Sequence, residues 1–139
     1  MAALLNDGVL QLTDQVKLTH WNVHGAHFTA YHELFDAIYA PVQEWTDTAA
    51  EGAAMMRSTT GASVPQIARE TPLPEWPLER RQDRDLMELV ANRMGLPASR
   101  VRTAIQEAGE IGDPDGADLF TGVSRGLDTD LWFVEPLFE

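Results

Sequence analysis

The sequence predicts an all-α protein: a four-helix bundle whose second and third helices are joined by a long crossover that carries a short extra helix. Three observations lead there. Apolar residues recur at alternating steps of three and four through four long segments, a spacing that a strand with its period of two cannot produce. Thr71–Pro77, TPLPEWP, can be neither helix nor central strand and reads as an extended crossover over the surface, which permits a bundle other than simple up-and-down. The length of 139 residues suffices for one domain with a sizeable core and is short for two, so 1–139 is expected to be a single domain.

Leu5, Val9, Leu12, Val16, His20 and Val23 place a first helix from about Leu4 to His24, stopped by Gly25. Phe28, Tyr31, Phe35, Ile38, Val42, Trp45 and Ala49 place a second from about His27 to Met56. Pro41 removes one backbone donor in mid-pattern and predicts a kink. Gly52, with Gly61, Pro65 and Pro72 behind it, predicts fraying soon after Glu51. Ser63 to Glu70 reads as a short helix, with Ser63 as its cap, Pro65 in the first turn and Gln66 at the capping-box position. From about Gln82 a third long helix carries Leu86, Leu89, Val90, Arg93 and Met94. The pattern resumes at Val101, Ala104, Ile105 and Ala108 after Gly95-Leu96-Pro97, which leaves the straightness of that helix open. Gly112-Asp113-Pro114-Asp115-Gly116 is a turn by composition, and a last helix follows with Leu119, Val123, Leu127, Leu131 and Val134 on one stripe.

There is no cysteine, which removes disulfides and thiolate metal sites and fits a cytosolic protein. The opening Met-Ala-Ala-Leu-Leu-Asn-Asp lacks a basic region ahead of its apolar run and is not expected to be a signal peptide; no run approaches a membrane span. A net charge of −12, from 22 acidic against 10 basic residues, repels a phosphate backbone and attracts cations, although acidity also serves solubility alone.

The residues able to bind a cation are concentrated between Lys17 and Glu51. His32 with Asp36, and Asp47 with Glu51, are each spaced by four and so stacked on one helical face. The offset from Asp36 to Asp47 is three turns plus roughly 20°, so the two pairs share nearly one azimuth but stand roughly 16 Å apart along the axis. Ligands of one iron or zinc ion lie only about 2.0–2.2 Å from it, so one copy of the helix cannot close a site from both pairs. A second copy lying antiparallel across a two-fold axis would bring His32/Asp36 of one chain against Asp47/Glu51 of the other and create two equivalent shared sites. His20, just before Gly25, would return alongside His32 in a helical hairpin. Two imidazoles with three carboxylates suit iron, manganese or zinc and disfavour copper(I). Taken singly, each of the five reads as a solvated carboxylate or a structural histidine; their common geometry favours an ion. Trp21 reads first as a packing residue, with electron donation to a stray oxidant as the alternative, and His24 and His27 read as solvated.

K-x-x-H-W-N-V-H-G-x-x-F from Lys17, H-E-L-F-D from His32 and D-x-x-A-E from Asp47 together resemble the Dps family of miniferritins, the DNA-protecting proteins from starved cells. The similarity continues through T-P-L-x-x-x-P-L at Thr71, V-R-x-A-I-x-E-A at Val101, A-D-L-F-T at Ala117 and S-R-x-L-D-x-x-L-W-F-V-E at Ser124, so it covers essentially the whole chain. The resemblance implies a ferritin-like fold in which His20, His32 and Asp36 come from one subunit and Asp47 and Glu51 from its two-fold mate. It implies an iron-oxidising ferroxidase that uses hydrogen peroxide or O2 and stores Fe3+ in a hollow dodecamer, with up to two irons per site. It places Lys17 beside the metal, against the plainer reading of a surface lysine. It would turn Asp113, Asp115 and Asp118 from turn and helix-start residues into an acidic pore. Gly52, where the family usually has a basic residue, and the Gly-x-Pro at Gly95 depart from the pattern. The rival reading is a nucleoid-associated, DNA-compacting protein. It needs a basic flexible tail, whereas this chain starts almost inside a helix and ends Glu-Pro-Leu-Phe-Glu; a longer gene product with such a tail would restore it. A metal-free helical interaction domain is the third class. An intrachain di-iron bundle is disfavoured because no Glu-x-x-His occurs.

Overall fold

The computed structural model describes residues 2–79 and 82–138, with side chains from Gly8 onward; the Leu5 end of the first stripe therefore lies outside the described side chains. Five helices follow one another: α1 Ala2–Asn22, α2 Phe28–Met55, α3 Val64–Glu70, α4 Asp83–Glu110 and α5 Pro114–Val134, with a closing 3-10 turn Glu135–Leu137. The four long helices form the bundle, α1 against α2 and α4 against α5, with α1 also touching α4 and α2 touching α5. Their predicted stripes meet in one core: Val9, Leu12 and Val16 from α1, Phe35, Ile38 and Val42 from α2, Leu86, Val90, Met94 and Val101 from α4, Val123, Leu127 and Val134 from α5. Each such side chain contributes about 1.5–3 kcal/mol on burial, which is why the periodicity decides the fold.

The α1–α2 turn is held from outside. Gly25 adopts φ +138, a conformation open to glycine, and a β-carbon there would lie 2.6 Å from Oδ2 of Asp83. Asp83 opens α4 and gathers donors from two elements: its own neighbour's Arg84 N–H at 2.9 Å, and from the turn His27 N–H at 3.4 Å and His27 Nδ1 at 3.1 Å. These contacts, led by the Arg84 N–H, hold its carboxyl below the ordinary carboxylate value. His27 is thus exposed but partnered, unlike the solvated reading, and the His24 carbonyl accepts from Asp83 N–H at 2.9 Å.

Several expectations are corrected by packing. Helix α2 does not fray after Glu51. It continues to Met55 because Gly52 and Ala53 are buried, with Cδ1 of Leu119 only 2.5 Å from where a Gly52 β-carbon would stand. Helix α4 passes through Gly95-Leu96-Pro97 as one helix; the lost N–H is offset by a face on which Met94, Pro97, Ala98 and Val101 are all buried. Pro41 lies inside α2, which continues on both sides of it as its stripe predicts. The crossover is not confined to the surface either. Leu73 and Trp76 enter the core, and Gln15 Nε2 donates to the Pro74 carbonyl at 2.9 Å. Before it, Ser63 and Gln66 start α3, with Gln66 Oε1 accepting from Ser63 N–H at 2.9 Å.

Helices α2 and α5 run antiparallel: Gly52 of α2 lies against Leu119 of α5, and two turns back along α2 Trp45 lies against Gly126. A β-carbon on Gly126 would overlap the Trp45 indole, whereas one on Gly122, a turn earlier, would meet nothing within 4 Å. Gly126→Ala should therefore destabilise the protein by about 1–3 kcal/mol through overpacking, while Gly122→Ala should be neutral or stabilise by up to about 1 kcal/mol. Thermal unfolding of the two variants beside the parent checks both signs; equal shifts would mean that the α2–α5 seam is looser than described.

Candidate metal centre

The centre is built on the α1–α2 hairpin. His20 and His32 face each other with ring centroids 3.7 Å apart and planes inclined by 25°. Each ring bonds the other residue's main chain: His20 Nδ1 is 2.8 Å from the His32 carbonyl, and His32 Nδ1 is 2.9 Å from the His20 carbonyl. A carbonyl oxygen can only accept, so Nδ1 carries a proton on both rings and Nε2 is the nitrogen left for a ligand. His20 is buried, His32 is half-buried, and Phe28 covers the latter with ring centroids 5.2 Å apart.

Asp36 completes the group, one turn beyond His32. Its Oδ1 lies 3.9 Å from His20 Nδ1 and accepts from Lys17 Nζ at 2.6 Å. The Lys17 hydrogen bond holds the Asp36 carboxyl below its ordinary value; burial works against this, and the charge of Lys17 adds to the lowering. Lys17 Nζ also stands 4.8 Å from the centre of the Tyr39 ring, so one ammonium is shared between a carboxylate and an aromatic face. Lys17, Trp21 and Tyr39 border one open hollow, in which the Trp21 ring is largely exposed.

The structure thus brings together His20, His32, Asp36 and Lys17. Asp47 and Glu51 are not with them: both are exposed farther along α2, and Asp47 borders an adjoining open groove with Glu44, which shares Leu10, Gln43 and Thr46 with the hollow at Lys17. Among the described residues, no three His, Asp or Glu side chains converge tightly enough within one chain to hold an ion. At the other end of α2, Asp113 caps α5 through Oδ1, which accepts from Gly116 N–H at 3.0 Å. Asp113 and Asp115 border a hollow with Gly52, Met55, Met56 and Leu119, while Asp118 is exposed outside it. Spacing did not reveal Tyr39, whose signal lies in its position one turn after Asp36 on the side facing α1, nor Lys17 as the partner of Asp36.

The ferritin-like domain model matches residues 3–139. Over 135 residues the chain is 34% identical to the DNA protection during starvation protein of Agrobacterium fabrum strain C58, spanning 95% of this chain and 83% of that one. The chain belongs to the Dps family. The structure of Dps from Microbacterium arborescens in the high iron form matches this Dps chain with a TM-score of 0.90 at 28% identity, over 96% of this chain and 86% of that one. A Dps protein of Vibrio cholerae O1, described as a member of a broad superfamily of ferritin-like diiron-carboxylate proteins, matches with a TM-score of 0.93 over 99% and 86%. At 20% identity, that second likeness speaks for the fold alone. No described helix of this Dps chain is long and apolar enough to cross a membrane.

Because the folded Asp36 carboxyl is depressed below 3.8, its contact with Lys17 contributes stability above that pH and loses it as the pH falls through the folded value. Lys17→Met should remove this part of the acid dependence. Unfolding midpoints measured from pH 6 down to 3 should converge for parent and variant at the acid end; parallel curves would show that the contact stabilises nothing.

Proposed function

We propose that this chain is the subunit of an iron-oxidising, iron-storing cage in which His20, His32 and Asp36 of one subunit and Asp47 and Glu51 of its two-fold mate hold the ferrous substrate. The observation that carries this reading is the division of ligands. Two imidazoles with free Nε2 atoms and one carboxylate lie side by side between α1 and α2 without closing a site by themselves, while two carboxylates farther along α2 stand out of their reach. Only a second chain lying antiparallel would close the set. The family relationship and the high-iron form of the Microbacterium Dps support iron as the substrate, and the name of the Agrobacterium relative supports protection of DNA as the outcome.

The donor set leaves open positions at Fe2+, with zinc or manganese as substitutes. Two ferrous ions at one site give up one electron each, and hydrogen peroxide takes both as its O–O bond breaks. The oxygen atoms leave as water or hydroxide, and no one-electron product is released. O2 is the alternative oxidant. Carboxylates favour the harder Fe3+ and so favour the oxidation, and ferric product hydrolyses and mineralises in the interior of a dodecamer. The charge of −12 draws ferrous ions inward, and Asp113, Asp115 and Asp118, at the start of α5, are the candidates for the entry pore. The same charge disfavours protecting DNA by binding it, so removal of Fe2+ and peroxide is the mode proposed.

His32→Ala and Glu51→Ala should each abolish rapid Fe2+ oxidation in a homogeneous assembly. Co-assembling the two should restore activity at about one site in four, because half the dimers are mixed and half the sites of a mixed dimer keep every ligand. Mixed assemblies with proven subunit exchange that stay inactive would refute the shared site, and a monomer at micromolar concentration would refute the cage. In a mobility-shift assay at moderate salt, this chain should leave duplex DNA unretarded; a shift that disappears as salt rises would favour the compacting role.

A further inference from the structure

Asp130 is the one aspartate of α5 that is buried, at 6% exposure, and its Oδ2 has no hydrogen-bond partner. It belongs to the stripe Leu119, Val123, Gly126, Asp130, whose first and third members lie against Gly52 and Trp45 of α2. That antiparallel register, carried one turn further along α5 and one turn back along α2, sets Asp130 opposite Pro41. Proline has no N–H, so the Ala37 carbonyl loses its helical partner at this level of α2. A carboxyl group buried without a donor and a carbonyl deprived of one are complementary, provided the carboxyl keeps its proton.

We infer that the Asp130 carboxylic acid donates a hydrogen bond to the Ala37 carbonyl and so closes the gap that Pro41 leaves in α2, making a pH-sensitive latch between α2 and α5. The inference concerns the helix itself and stands apart from the ligand assignment. Burial raises the Asp130 carboxyl from 3.8 to about 6, so it keeps its proton below about that pH. The charged groups around it are otherwise engaged or turned outward. On α2, Asp36 and Tyr39 meet Lys17 of α1, and Glu33 and Glu44 are exposed. On α4, Arg102 pairs with Asp128, Arg93 donates to the Glu75 carbonyl and Arg84 to the Phe138 carbonyl. Arg100, level with Asp130 by the Arg102–Asp128 pairing, does not move its titration, nor does exposed Glu135 on the closing turn; burial is the sole cause.

The folded chain binds this proton more tightly than the unfolded chain, so the contribution of the latch is whole below pH 3.8 and is lost progressively from there until the pH has risen through about 6. Unfolding midpoints of the whole assembly should be measured from pH 4 to 8 for the parent and for Asp130→Asn, whose amide donates without titrating. The parent should fall relative to the Asn variant between pH 4 and about 6 and level off above it; curves that stay parallel throughout would overturn the inference. At pH 5, Asp130→Leu should lower the midpoint by about 2–4 °C. In a Pro41→Ala background, where residue 41 regains the N–H for the Ala37 carbonyl, that loss should shrink to half or less. An undiminished loss would place the partner of Asp130 elsewhere and sink the latch. Should the Leu variant fail to fold, the pH comparison with Asp130→Asn decides alone.

Discussion

The exchange of imidazole–carbonyl hydrogen bonds between His20 and His32 fixes how the first two helices meet, and most of the candidate centre follows from it. Each ring reaches across to the other helix's main chain, so neither α1 nor α2 can slide or roll without breaking both bonds. With the two residues level, Lys17 one turn earlier on α1 comes over Asp36 one turn later on α2, and Tyr39 falls beneath the same ammonium. A helix pair held only by apolar contacts would tolerate small rotations; one held by directed bonds between ring nitrogens and carbonyls does not.

The opposite face of α2 is governed by size rather than by polarity. Against α5 the seam alternates a small residue on one helix with a large one on the other: Gly52 under Leu119, then Gly126 under Trp45. Such pairing brings the axes close and sets the register by shape, so that α2 is positioned by hydrogen bonds on one side and by steric fit on the other. Asp130 is the exception on that seam, a polar group in an apolar line.

What the sequence made legible was whatever repeats at helical spacing. The four long stripes, the short helix at Ser63 and the common azimuth of His32, Asp36, Asp47 and Glu51 all follow from positions along the chain. The features that escaped depend on partners remote in sequence. Gly52 reads locally as a breaker and is in fact a contact surface for Leu119, 67 residues away by the numbering. Pro97 reads as an interruption, but its ring is buried with Met94 and Val101, and packing outweighs one lost hydrogen bond. Leu73 and Trp76 sit in a segment without period, where nothing local distinguishes an anchor from a surface residue. Asp130 does stand at a core position by spacing, three residues after Leu127 and four before Val134. It passes unnoticed because an acid on a helix is by default assigned to solvent.

The turn at Gly25 ties two distant positions together in inheritance. The place where a β-carbon would be at residue 25 is filled by the Asp83 carboxylate, which also needs that space to reach His27. A lineage that acquired a side chain at position 25 would have to displace or replace the acid at 83, and the loss of that acid would in turn remove one barrier to substitution at 25, the backbone conformation there being the other. The seam at Gly126 and Trp45 obeys the same rule, since a larger residue at 126 demands a smaller ring at 45. Residues far apart in the chain are therefore expected to change as pairs. The trace of these close approaches should survive as correlated substitution among sequences too divergent to resemble one another by eye.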